Sequence, residues 1–144
     1  MAKVYIVDEE VMFANLIASA ATFAGHEPQL YHDATSAYMD FINSDLKSSK
    51  DIFWVDMYLL PGVDPNFEVV QQRFDEYRVG LRLAELIVSE QIIDPANMKN
   101  LILYTGHVTS SLWDEIEKFC REKGTRSFQK RADTSFDDLV NLMR

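Results

Sequence analysis

The stretch IFWVDMYLLPG, residues 52–62, carries an apolar run that ends in a carboxylate, Asp56, and then breaks into a loop closed by Pro61 and Gly62. A short run of β-branched and aromatic side chains with no polar interruption reads as a strand buried on both faces, as a parallel sheet requires. Three other segments end in the same way: KVYIV runs into Asp8 and Glu9, NLILY into Thr105, and RSFQ into Lys130. In an α/β chain, residues just past the ends of parallel strands gather along one edge of the sheet, where ligands bind. Three acids, a hydroxyl and an ammonium are therefore expected in one pocket, with Asp56 placed as its nucleophile.

Working outward, hydrophobic period predicts strands near 3–7, 28–31, 51–55, 100–104 and 126–129. Helical patterns fall between them, near 10–24, 34–45, 80–91 and 109–123, with a last one over 134–143. Gly25 and Gly124 mark helix ends, Asp94-Pro95 leads into the fourth strand, and Thr109 or Ser110 can cap the fourth helix. Strict alternation implies right-handed crossovers. The expected architecture is α/β, with a mostly parallel sheet covered on both faces.

One stretch departs from the alternation. Residues 62–79, GVDPNFEVVQQRFDEYRV, are too many for an ordinary connection of 2–6 residues. Asp64 reads as an N-cap and Pro65 as the first helical residue, while Phe67, Val70, Phe74 and Tyr77 recur at helical steps. An inserted amphipathic helix over 64–78 is expected beside the Asp56 edge. Its role is local packing, partner selection or a cover over the site.

A length of 144 residues suits a single domain spanning 1–144. No segment approaches the roughly 18 apolar residues of a membrane span, and MAKVYIVDEE lacks a signal-peptide core. With Cys120 the only cysteine, no internal disulfide can form, which points to a reducing cytoplasm. The net charge of −9 disfavours direct binding to nucleic acid or anionic lipid. Crowding of Asp8, Glu9 and Asp56 would raise their pKa values unless a cation were bound.

The order of elements together with Asp8-Glu9, Asp56, Thr105 and Lys130 resembles the CheY-like receiver domain of two-component response regulators, over nearly the whole chain except the insertion. Each residue alone has a plainer reading: first-turn acids, a strand-to-helix turn, a solvated strand end. The four together and in order carry the likeness, which implies an α/β, flavodoxin-like (βα)5 fold with a doubly wound parallel five-stranded sheet and an inserted helix after the third strand. It implies that Asp56 is the phosphoacceptor, taking a phosphoryl group from a histidine kinase or phosphotransfer protein. It further implies that Asp8, Glu9, Asp56 and the backbone carbonyl of Tyr58 hold Mg²⁺, that Thr105 is the switch hydroxyl, and that Lys130 is the family's lysine. The chain would then be a signalling phosphoacceptor in a phosphorelay, not an enzyme, assisting its own phosphorylation and dephosphorylation. With no output domain expected after residue 144, it would act by binding a downstream effector protein, with a homodimer open as an oligomeric state.

The residues support these roles separately. A carboxylate can form an aspartyl phosphate, and an all-oxygen site suits Mg²⁺, whereas no His/Cys spacing suggests zinc. Three positions depart from the family's pattern. Glu9 stands where an aspartate is commoner, Arg131 follows Lys130 where a proline is usual, and Ser127 occupies the place of an aromatic three residues before the lysine. Phe128 is expected on the opposite face, shared with Lys130, so the switch would run through the turn after Thr105 and the helix bearing Trp113. Tyr58 and His107 are expected to shield the phosphoryl group from water, while His26 and His32 read as surface residues and Cys120 as a buried helix residue. A receiver-like module that works without phosphorylation is the first alternative. A Mg²⁺-dependent phosphohydrolase ranks last, because the second acid of such enzymes would fall at Tyr58.

Overall fold

The computed structural model describes residues 2–43, 50–67, 77–106, 110–131 and 133–144. Five strands, β1 (Lys3–Val7), β2 (Glu27–Tyr31), β3 (Ile52–Asp56), β4 (Leu101–Thr105) and β5 (Arg126–Gln129), form one sheet in the order β2-β1-β3-β4-β5. All four pairings are parallel. The helices α1 (Val11–Phe23), α2 (Ala34–Asn43), α3 (Tyr77–Ser89), α4 (Ser110–Lys123) and α5 (Phe136–Leu142) alternate with the strands. This is the flavodoxin-like fold that the resemblance implied, and its parallel sheet is the one expected from the alternation. The chain winds outward from β1 to β2, then returns to β3, so the topological switch point lies between β1 and β3. Asp8 follows the first of these strands and Asp56 ends the second.

Side-chain alternation along the strands divides the interior into two layers. Val4, Ile6, Trp54, Ile102 and Tyr104 pack with Ala14 and Ile17 of α1 and Leu139 and Val140 of α5. Tyr5, Val7, Phe53, Val55 and Leu103 pack with α2, α3 and α4 through Phe41, Leu83, Ile87, Leu112 and Ile116. The central strands β3 and β4 are buried along their whole length, which is why their sequences show no alternation. Cys120 is buried in the second layer.

Both central strands run one residue beyond the expected ends. The ladder pairs Asp56 with Tyr104, and the Met57 N–H donates to the Tyr104 carbonyl at 3.0 Å. Asp56 and Thr105 are thus held by sheet hydrogen bonds instead of sitting in the loops beyond them. Before β4, a turn of 3₁₀ helix spans Pro95–Asn100, capped by the Asp94 carboxylate accepting from the Ala96 N–H. The last helix starts at a capping box: Ser135 accepts from the Asp138 N–H, and Asp138 accepts from the Ser135 N–H. His26 is half-buried, its Nε2 2.7 Å from the Met143 carbonyl, where the sequence suggested a surface residue. His32 is exposed.

Part of the insertion is described. Residues 65–67 form a helical turn whose start is capped by Asp64, the Asn66 N–H donating to its Oδ1 at 2.8 Å. Phe67 is fully buried against Tyr38, ring centroids 5.9 Å apart and edge to face. Tyr77–Ser89 is helical, so α3 includes the three residues before the expected start at Gly80. Val70 and Phe74, on which the amphipathic reading depended, lie outside the described residues.

Gly80 brings α3 against the end of β3. Its N–H donates to the Met57 carbonyl at 3.1 Å, and a Cβ there would stand 2.2 Å from the Asp56 carbonyl oxygen and 2.5 Å from Met57 Cα. These are backbone atoms of a buried strand end and cannot swing aside. Gly80→Ala is therefore expected to lose about 3 kcal/mol of stability, the upper part of the usual overpacking range, or more. A urea midpoint unchanged from the parent would show that α3 shifts freely, contrary to this packing.

Candidate functional site

The carboxyl ends of β1, β3, β4 and β5 meet at one edge. Asp8 is fully buried, and Asp56, 3% exposed, lies next to it. Lys130 follows β5, and its N–H donates to the Thr105 carbonyl at 2.9 Å, continuing the ladder past the last strand. Its aliphatic stem passes Gly106, where a Cβ would stand 3.5 Å from it. The ammonium reaches back to Asp8 Oδ2, Asp56 Oδ2 and Glu10 Oε2, each at 3.2 Å. Thr105 is fully buried at the end of β4. Asp8, Asp56, Thr105 and Lys130 thus share this edge, as their strand-end positions led one to expect.

Glu9 behaves differently from its neighbours. It is exposed at the bend between β1 and α1, and among the described residues no three His, Cys, Asp or Glu side chains converge to hold a metal ion. Besides Asp8, the carboxylate of this segment that reaches the lysine is Glu10, a residue the sequence reading passed over. Glu10 is the N-cap position of α1, and its N–H donates to Asp8 Oδ1 at 2.8 Å. A second overlooked residue is Tyr104. Its hydroxyl donates to Asp8 Oδ2 at 2.8 Å, and its ring lies 4.9 Å below the Lys130 ammonium, with the Phe13 ring 4.8 Å away from the same group. The signal for Tyr104 was its place in the buried run LILYT, since a buried phenol needs an acceptor.

Electrostatics follow from burial. The Asp56 carboxyl is pushed up to about 8, first by desolvation and then by the charge of Asp8, with Lys130 opposing. Burial alone would lower the Lys130 ammonium, but the charges of Asp56 and Asp8 outweigh it and hold its pKa above the usual value. Burial and the same two acids raise the Tyr104 phenol well above its ordinary range, so it is a hydrogen-bond donor at any working pH. Once Asp56 is ionised, two buried carboxylates face one ammonium, which leaves negative charge for a further cation to offset. The donor set is all oxygen. That combination fits Mg²⁺, which binds through one or two carboxylates and keeps several waters.

Tyr58 donates its N–H to Asp56 Oδ1 at 3.3 Å, and its side chain is half-buried against the α2–α4 layer. His107, the other residue expected to shield the site, lies outside the described residues. On β5, Ser127 is in register with Leu103 and Phe128 with Tyr104. Phe128 packs edge to face on Trp54 at 5.8 Å, in the α1/α5 layer that also holds Phe13. The aromatic of this strand therefore lies on the face shared with Lys130, and no aromatic stands at 127.

No protein-family model matches the chain, and no curated protein matches it. Solved structures do. The receiver domain of the Francisella response regulator 1452 superposes with a TM-score of 0.63 at 17% identity, covering 99% of this chain and 93% of that one. A CheY-like response regulator receiver domain protein from Methanospirillum hungatei gives 0.64 at 16% identity, with 98% and 89% covered. A response regulator receiver domain protein from Clostridium thermocellum gives 0.61 at 17%, with 99% and 91% covered. The chain has the CheY-like receiver fold.

Proposed function

We propose that this chain is a phosphoacceptor receiver domain in which Asp56 takes a phosphoryl group from a phosphohistidine on a histidine kinase or phosphotransfer protein. The observation that carries the reading is the Lys130 ammonium set 3.2 Å from both Asp8 and Asp56 at the switch point of the sheet. A structural ion pair needs one acid; this one spans the two strand ends between which such folds bind ligands. The fold's likeness to receiver domains supports the same reading.

In the proposed transfer, an Asp56 carboxylate oxygen attacks phosphorus, the N–P bond breaks, and its electron pair returns to the imidazole of the donor. Asp56 must be ionised to attack, and its raised pKa works against that. Mg²⁺ held by Asp8, Asp56 and the Tyr58 carbonyl, with Glu9 near the same bend, would favour the carboxylate and offset charge on the phosphoryl oxygens. Lys130 can turn from Asp56 to a phosphoryl oxygen without leaving Asp8. Thr105, held by the last rung of the ladder, stands at the end of β4 where a switch hydroxyl belongs. The added group brings roughly −1.5 to −2 charges at pH 7, which biases the domain toward whichever conformation brings donors to it. The output is binding to an effector protein in a cytoplasmic setting.

Incubation with Mg²⁺ and a small phosphodonor is expected to add one acid-stable, base-labile phosphoryl group, read by intact mass. Asp56→Asn should abolish it, since the amide is a poor nucleophile. Equal labelling of that variant would place the acceptor elsewhere, and no labelling of the parent protein under any donor would favour a module that works without phosphorylation.

A further inference from the structure

We propose that Tyr104 is a positioning residue for Mg²⁺, fixing Asp8 as a ligand through its buried hydroxyl. This rests on the reading of Asp8 and Asp56 as the metal-binding pair.

Tyr104 lies on β4 directly opposite Asp56 in the ladder and is fully buried. Its ring is held on two sides, edge to face with Trp54 at 5.4 Å and stacked on Phe13 at 5.9 Å. A phenol so confined cannot seek another acceptor, and its hydroxyl donates to Asp8 Oδ2 at 2.8 Å. The other oxygen of the same carboxylate accepts from the Glu10 N–H at 2.8 Å. One donor is backbone and the other a locked aromatic, so the plane of the Asp8 carboxylate is defined from both ends.

The third donor to Asp8, Lys130, belongs to a different kind of contact. It is shared with Asp56 and Glu10 and sits at the end of a flexible stem. It can leave when charge is redistributed. A carboxylate offers about four acceptor positions; on Asp8, Tyr104 and the Glu10 N–H hold two permanently, Lys130 holds one exchangeably, and the Asp56 carboxyl hydrogen-bonds to the same group. A cation would take the positions that Lys130 and the Asp56 proton give up, and the two fixed donors direct those. Donors behind a ligating carboxylate set its orientation, and losing one typically costs 10–100-fold in metal affinity.

The test is calorimetric titration of Mg²⁺ into the unphosphorylated protein, its Tyr104→Phe variant and a Phe128→Leu variant. Phe keeps the ring between Trp54 and Phe13 and removes only the hydroxyl, while Phe128→Leu disturbs the same layer without touching Asp8. Thermal unfolding in EDTA establishes that each variant is folded. Tyr104→Phe should bind Mg²⁺ at least about tenfold more weakly, with Phe128→Leu unchanged. Equal or tighter binding by folded Tyr104→Phe would show that the hydroxyl only satisfies a buried phenol. An equal loss in Phe128→Leu would assign the effect to packing and overturn the proposal too. If the parent protein itself fails to bind Mg²⁺, the metal-pair reading falls first and takes this proposal with it, a result distinct from selective loss in the variant.

Discussion

At pH 9 and without divalent cations, Asp56→Asn is expected to be more stable than the parent protein, on the order of 3–5 kcal/mol. The Asp56 carboxyl has a pKa of about 8 in the fold against an ordinary value of 3.8. Between those values the folded chain holds a proton that the unfolded chain has released, so the group's contribution to stability falls as pH rises from about 4 through 8. By pH 9 the acid is ionised in both states and the whole penalty of a buried charge beside Asp8 is present. An amide of the same shape never ionises. The advantage of the variant should therefore shrink on acidification and vanish near pH 4. Millimolar Mg²⁺ should also shrink it, because the cation stabilises only the ionised parent. Denaturant unfolding of the two proteins from pH 4 to 9 gives the difference directly. A difference that stays flat across this range, or a variant less stable at pH 9, would mean that Asp56 is not strained by burial.

Lys130→Met should have an effect of similar size and opposite sign. The lysine side chain is 10% exposed and its partners Asp8 and Asp56 are 0% and 5% exposed, so its removal strands the buried Asp8 carboxylate with no cation, and Asp56 as well once it ionises above about pH 8. Breaking a buried pair by deleting one partner costs about 3–5 kcal/mol. Met preserves the stem that packs over Gly106 and lies between Phe13 and Tyr104, which confines the loss to the charge. Because the Lys130 pKa is raised in the fold, its contribution is fully present below 10.5 and is lost only as pH climbs through the higher folded value. The penalty should thus persist across neutral pH. At pH 9, where Asp56 is ionised as well, combining Lys130→Met with Asp56→Asn should recover a large part of it, since one of the two stranded charges is then gone. A single variant within experimental error of the parent protein would show that the ammonium is exchanged freely with water and does not hold the site together.

Both effects arise from a feature that single residues do not show. Asp56 and Lys130 stood out in the sequence because each ends a hydrophobic run, and parallel strands with right-handed crossovers must put such ends on one edge. The parallel sheet followed from the same alternation, whereas the strand order, and with it the switch point between Asp8 and Asp56, is set by the tertiary structure. Strand parity also placed Phe128 on the face of Lys130 and Ser127 on the other, because successive side chains of an unbroken strand point in opposite directions.

Glu10 and Tyr104 were not legible in the same way. In the run Asp8-Glu9-Glu10, which acids meet Lys130 depends on how the chain leaves β1 and enters α1. Asp8, buried, and Glu10, exposed at the cap, both reach it, while Glu9 lies exposed at the bend. Tyr104 reads as one more apolar residue of a buried strand, and only the pairing of β3 with β4 sets its hydroxyl beside Asp8. Gly80 likewise reads as a point where the inserted segment gives way to a helix, whereas its need is steric, set by the Asp56 carbonyl lying where a Cβ would be. Local pattern determined the elements, their order, their faces and the edge where chemistry gathers, because hydrophobic period and chain connectivity act along the sequence. Which groups touch at that edge, and how strongly they perturb one another, was decided by tertiary structure, because hydrogen bonding, desolvation and close packing depend on distances between residues as much as 122 positions apart in sequence, the separation of Lys130 from Asp8.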